Sequence, residues 1–186
     1  GTLYALGGFK GFFSCNNALA SVETFAPGGG AAAGGAAAWA AGTPMLTARS
    51  NFGAAAVAGK IVAVGGCGGN GIVLASAEVF DPATRAWTAA RSSMATPRYF
   101  HAVAALGALV YAAGGCKYAS CNTSDPILSS VEAYDVARGA WAPVAGLRTA
   151  RQRHAAAALH GKLYVMGGQD SNGNPILNSV EVYDPA

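Results

Sequence analysis

Charge is scarce in this sequence. Only 11% of its 186 residues are Asp, Glu, Lys or Arg, and the formal balance is +3 with no basic run. That argues against nucleic acid as the main partner. Long apolar runs are lacking as well. The longest uncharged strand-like stretch, from Ala102 to Cys116, is fifteen residues and is interrupted by Gly107, whereas a membrane span needs roughly 20. No membrane partner is expected. The four cysteines contain neither a Cys-x-x-Cys pair nor zinc-type spacing, so no metal or other cofactor is expected from them. Cys15, Cys67, Cys116 and Cys121 read as thiols in a reducing, cytoplasmic compartment, with a Cys116–Cys121 loop disulfide as the alternative. An initiator Met and a leader-type segment are absent at Gly1, and the chain is expected to be a fragment.

Small apolar residues are plentiful. Hydrophobic residues make up 52% and glycines number 26, which excludes disorder and implies closely approaching backbones. Within this background a Gly-Gly pair follows an apolar tetrapeptide four times, at Gly7-Gly8, Gly65-Gly66, Gly114-Gly115 and Gly167-Gly168. The intervals are 58, 49 and 53 residues. A period of this length marks a repeat architecture.

Two further elements recur in phase. One reads Ser21-Val22-Glu23-Thr24-Phe25, Ser76-Ala77-Glu78-Val79-Phe80, Ser130-Val131-Glu132-Ala133-Tyr134 and Ser179-Val180-Glu181-Val182-Tyr183. A tryptophan follows the first three (Trp39, Trp87, Trp141), and the longer first gap contains the Gly/Ala tract at 28–38. The other element is Met/Leu-x-Thr-x-Arg, ending at Arg49, Arg98 and Arg151, each sixteen residues before its Gly-Gly pair. The constant spacing identifies the rigid part of the unit, and the variable spacing its loops.

Each unit of about fifty residues reads as four short strands. Apolar runs such as Phe52–Ala58, His101–Leu106 and His154–Leu159 are bounded by glycine turns at Gly59, Gly107 and Gly161, and are too short for helices. Four antiparallel strands per repeat, arranged radially, make a β-propeller. The alanine-rich first strand suits the crowded axis, and the tryptophan suits the roomier rim, where it can cover the gap between blades. The expected fold is all-β, a partial propeller with three, four, four and three strands. Its expected divisions are an incomplete blade at 1–43, full blades at 44–91 and 92–144, and an incomplete blade at 145–186.

The Gly-Gly pairs, the Tyr/Phe-Asp endings (Phe80-Asp81, Tyr134-Asp135, Tyr183-Asp184) and the trailing tryptophans resemble the kelch repeat, most closely that of BTB–kelch proteins. The resemblance covers essentially the whole chain. It implies a propeller of six or seven blades in a longer polypeptide. It also implies capture of a substrate protein for a cullin-3 ubiquitin ligase, through a BTB region that is not among these residues.

In a propeller the strands are scaffold, and specificity lies in loops at one end. The loops after the Gly-Gly pairs, at 9–20, 67–75, 116–129 and 169–178, differ in length and chemistry. They supply Asn70, Tyr118, Asn122, Asp170 and Asn172 as candidate partner-binding residues. Arg49, Arg98 and Arg151 are candidates at the channel mouth, where the resemblance implies contact with acidic partner segments and a guanidinium offers a fork to carboxylate. Their alternative role is pairing with a repeat glutamate of a neighbouring blade. The glutamates themselves, recurring at one strand position, read as structural acceptors, and His101 and His154 as packing residues, since Phe52 holds the same place.

The expected function is binding of an acidic or polar protein segment, without catalysis. The other classes are a kelch-propeller enzyme of the metal-oxidase or sugar-acid-isomerase type, and an actin-binding protein. Gly-Gly-Cys-Gly-Gly at 65–69 lacks the Lys-Ser/Thr of a phosphate loop.

Overall fold

A computed structural model of the chain describes residues 1–11, 15–27, 38–118, 126–170 and 176–185. Sixteen strands and one 3-10 turn account for the regular structure of the described residues. The first sheet joins β1 (Leu3–Leu6), β2 (Val22–Phe25) and β3 (Trp39–Ala41) in that order. The 3-10 turn, Cys15–Asn17, lies between β1 and β2. Next come β4 (Arg49–Ser50), β5 (Gly53–Val57), β6 (Lys60–Val64), β7 (Cys67–Gly68), β8 (Ala77–Asp81) and β9 (Ala86–Ala89). Of these, β5-β6-β8-β9 form a four-stranded sheet, while β4 pairs with β7. The third blade is β10 (Ala102–Leu106), β11 (Leu109–Ala113), β12 (Val131–Asp135) and β13 (Ala140–Val144). The last is β14 (Ala155–Leu159), β15 (Lys162–Met166) and β16 (Val180–Tyr183).

Every pairing within the blades is antiparallel between successive strands of the same sheet. The strand count is the expected three, four, four and three: a partial kelch-type β-propeller. Its inner strands stand side by side, with β10 between β5 and β14. Alanines allow that approach. At Gly53 even a methyl group would collide with Val103 on the neighbouring inner strand. Blades meet through apolar clusters, one joining Val62, Val64 and Ala77 of the second blade to Val110, Ala112 and Tyr134 of the third. Another joins Val22 to Phe80 and Trp87 across the first gap. The indole of Trp87 also crosses that gap, donating to the carbonyl of Thr43 at 2.9 Å. Trp39, at the same strand position in the first blade, is 50% exposed.

The cysteines depart from the expectation of free thiols. Cys15 and Cys67 are joined in a disulfide with Cα atoms 5.5 Å apart, within the usual range for such bridges. The two lie 52 residues apart in sequence, and only the side-by-side packing of the first two blades brings them together. The alternative Cys116–Cys121 pairing involves Cys121, which lies outside the described residues. No helix among the described residues is long and apolar enough to cross a membrane.

Candidate partner-binding surface

The constant sixteen-residue spacing has a direct structural cause. Arg49 Nη1 donates to the carbonyl of Gly65 at 2.8 Å, Arg98 Nη1 to that of Gly114 at 2.9 Å, and Arg151 Nη1 to that of Gly167 at 2.9 Å. Each Nη1 also reaches the carbonyl of the repeat serine (Ser76, Ser130, Ser179), and each Nη2 reaches that serine's hydroxyl. The cluster is completed by the repeat glutamate: Arg49–Glu78 at 2.9 Å, Arg98–Glu132 at 2.7 Å and Arg151–Glu181 at 2.7 Å. Each glutamate in turn accepts backbone N–H groups just ahead of its arginine. Glu78 takes Leu46, Glu132 takes Ala95 and Thr96, and Glu181 takes Arg148 and Thr149.

All three arginines are 0% exposed. The binding role expected for Arg49, Arg98 and Arg151 requires guanidiniums open to solvent, and these are closed inside the blade. Nor do they pair with a neighbouring blade. Each guanidinium binds the sheet its own repeat builds, while its backbone reaches the preceding one. The Arg49 N–H donates to Leu19 O, and the Gly8 N–H donates to Arg49 O, both at 2.9 Å. Arg98 does the same with Leu74 and Gly66, and Arg151 with Leu128 and Gly115. The repeat arginine is therefore a rivet between consecutive blades. Burial lowers the pKa of Arg49 and Arg98, against the raising effect of their glutamates. Burial alone would raise Glu181, but the amides of Arg148 and Thr149 and the Arg151 guanidinium outweigh it and hold its carboxyl below the usual range.

The Gly-Gly pairs are shaped by the same junction. At Gly65 (φ +61°) a Cβ would lie 2.6 Å from Arg98 O and 2.8 Å from His101 Cε1; at Gly115 (φ +93°) it would lie 2.6 Å from Tyr99 O. Both positions exclude side chains by backbone sign and by space. His101 packs on Gly65 and Gly115, and His154 on Gly114 and Gly168. Burial, with the charges of Arg98 and His154, drops the His101 pKa to about 3; burial and Arg151 drop that of His154 to about 4. Both are neutral packing residues at physiological pH. Among the described residues no group of three or more His, Cys, Asp or Glu gathers as a metal site.

Two residues beyond each rivet the surface opens. Asn51, Phe100 and Arg153 occupy the same repeat position, and all three have left-handed backbones, with φ of 50°, 53° and 55°. They are linked circumferentially: the Phe100 N–H donates to Asn51 O at 3.0 Å, and the Arg153 N–H to Phe100 O at 2.8 Å. Arg153 is exposed, and its guanidinium lies 4.4 Å from the Phe100 ring centroid, a cation–π arrangement. Phe100 stacks in turn on buried Tyr99, centroids 4.4 Å apart.

The loops after the Gly-Gly pairs share this end, because they pair with the segment between rivet and inner strand. The bridges are β4 with β7, Tyr99 with Cys116, and Gln152 with Gln169. Asn70 is exposed at the tip of one loop, its Oδ1 accepting the Ile72 N–H at 3.2 Å. Tyr118 is 48% exposed, with Lys117 Nζ 5.5 Å from its ring centroid. Asp170 is half-buried. Asn122 and Asn172 lie outside the described residues. The structure thus brings Asn70, Tyr118 and Asp170 to one end and adds Asn51, Phe100 and Arg153, which sequence reasoning passed over. Their signal was present: variation at one position, Asn, Phe, Arg, just after an invariant arginine.

A family model for the Kelch motif matches residues 48–94, 97–148 and 150–186. The chain belongs to the kelch-repeat family. Kelch-like protein 35 of Mus musculus is 28% identical over 185 residues, which is 100% of this chain and 28% of that protein. Kelch-like protein 34 of Homo sapiens is 34% identical over 151 residues, 80% of this chain and 22% of that protein. An F-box/kelch-repeat protein of Arabidopsis thaliana is 38% identical over 81 residues, 44% of this chain and 19% of that protein. The chain spans about a quarter of the length of the two kelch-like relatives. Each matched stretch contains one rivet arginine, Arg49, Arg98 or Arg151.

Proposed function

We propose that this chain is a protein-interaction module whose loop end binds an acidic or polar segment of a partner protein, without turnover. The observation that carries the reading is the contrast within each repeat: identical buried rivets hold chemically different residues at one end. Arg153, oriented by Phe100, supplies a fork for a carboxylate. Lys10 and Lys117, in the loops after the first and third Gly-Gly pairs, add positive charge to the same end, and Tyr118 and Asn70 add an aromatic face and an amide. Asn122 and Asn172 belong to the same loops in sequence and complete the proposed set. Arg49, Arg98 and Arg151 serve the surface indirectly, by fixing the loops.

The kelch-like relatives support a role as substrate receptor, and we extend it to a cullin-3 ligase through a BTB region elsewhere in the polypeptide. A cytoplasmic setting belongs to the same proposal. Peptide titration tests the binding reading. A fluorescent Glu-rich decapeptide should bind more tightly than its Gln counterpart, and Arg153→Ala should weaken it about tenfold. Equal affinity of both peptides for the folded wild-type chain overturns the acidic-segment reading.

A further inference from the structure

We propose that the Cys15–Cys67 disulfide is a redox-controlled staple: oxidised, it locks the loop end of the first blade to that of the second, and reduced, it frees both without unfolding the blades.

The two sulfurs belong to different recognition loops. Cys67 is fully buried on β7, held by its pairing with Ser50 and a bridge to Val73. Cys15 opens the 3-10 turn Cys15–Asn17 and is half-buried. That turn is fastened within its own loop, through Lys10 N–H to Asn17 O at 3.1 Å and Ala18 N–H to Cys15 O at 3.2 Å. It also leans on the second loop: a Cβ on Gly71 would lie 3.0 Å from Asn16 Oδ1. Asn70, a proposed partner-binding residue, is the neighbour of Gly71 and exposed. The covalent link therefore sets the distance between two loops that face the same partner.

The first blade gap does not depend on that link. Arg49 rivets it through Leu19 and Gly8, Trp87 crosses it to Thr43, and Val22, Met45, Phe80 and Trp87 bury its apolar interior. In the third blade the equivalent of Cys67 is Cys116, whose Sγ lies 3.0 Å from Oε1 of Gln152 in the fourth repeat. In the fourth blade the same position is Gln169, bridged to Gln152 of its own repeat. The covalent staple thus joins two loops whose blades are already held by the arginine rivet that recurs at every gap.

The reductant is a cellular thiol of the glutathione or dithiol class. Its thiolate attacks Cys15 Sγ, the less buried sulfur, and the S–S bond breaks with Cys67 leaving as a thiolate that takes a proton. A second thiol resolves the mixed disulfide and releases the Cys15 thiol, so two electrons and two protons enter the pair while two external thiols become a disulfide. In a reducing compartment such a bridge is transient and redox-sensing. Its effect on partner binding rests on the functional reading above, whereas the staple itself does not.

The test uses the air-oxidised chain with and without dithiothreitol, followed by differential alkylation and hydrogen exchange. Before reduction Cys15 and Cys67 should resist alkylation, and afterwards both should react. Exchange in residues 15–20 and 67–75 should rise about tenfold, with β10 and β11 unchanged. The double variant Cys15→Ser, Cys67→Ser should match the reduced protein and ignore dithiothreitol. Alkylation of Cys15 in the untreated protein, unchanged loop exchange on reduction, or collapse of protection in β10 and β11 each overturns the proposal. Adding the Glu-rich decapeptide separates the two readings: a severalfold change in its Kd on reduction supports both. A peptide that binds neither form refutes the functional reading alone, while loop exchange still decides the staple.

Discussion

Arg151 and Arg153 stand two residues apart and do opposite work. Arg151 is 0% exposed and spends its guanidinium on Gly167, Ser179 and Glu181. Arg153 is exposed, lies over Phe100 and contributes to the surface. The same division runs through the molecule, with Arg98 against Phe100 and Arg49 against Asn51. At the invariant arginine position the side chain is buried and holds blades together. Two residues on, where the repeat varies, Asn51 and Phe100 are half-buried and Arg153 is exposed.

Substitution at a rivet breaks the comparison most severely. Arg98→Ala leaves Glu132 and the carbonyls of Gly114 and Ser130 without their cation, and should cost about 3–5 kcal/mol, read as a lowered urea midpoint. Arg153→Ala should move the same midpoint by less than about 0.5 kcal/mol. If the two variants lose equal stability, the division between rivet and surface is wrong.

Acid should have the next largest effect. His101 titrates at about 3 in the folded protein against an ordinary 6.5. The unfolded chain therefore binds more protons than the folded one between those values, and stability falls as pH drops below 6.5. The slope approaches about 1.4 kcal/mol per pH unit for this residue. His154, at about 4, adds a contribution of the same sign over a narrower window. Denaturant midpoints from pH 7 to 5 measure it. His101→Phe, which copies Phe52 of the preceding repeat, should flatten the profile while keeping the fold; an unaltered profile would assign the acid sensitivity elsewhere.

A smaller loss is expected at the glycine pairs. Gly115→Ala forces a left-handed backbone at φ +93° and a Cβ 2.6 Å from Tyr99 O, for a cost of about 1–3 kcal/mol. Gly107→Ala, whose Cβ would meet nothing within 4 Å but whose φ is +62°, should cost less, and thermal melts of the pair separate packing from backbone strain. The smallest effect on stability belongs to Tyr118→Ala, which should leave the melt unchanged and weaken binding of the Glu-rich peptide severalfold.

Much of the blade was legible beforehand because a repeat prints its geometry several times over. Strand order, the turn glycines and the rim position of Trp87 follow from periodicity and short apolar runs. The sixteen-residue spacing revealed that the arginine and the Gly-Gly pair were rigidly related. It did not reveal that the guanidinium binds the glycine carbonyl itself, since a side chain aimed inward and one aimed at a ligand share the same spacing. The disulfide was invisible for a related reason. Cys15 and Cys67 share no motif, and their separation of 52 positions is closed only when the first two blades stack.

Local pattern alone settled the kind of unit, its number of strands and the residues that must be small, because those depend on neighbours along the chain and on backbone sterics. Which arginines are buried, which cysteines meet and which loop residues share a surface depended on how successive blades lie against each other. Those contacts join residues dozens of positions apart, and only the packed structure brings them within bonding distance.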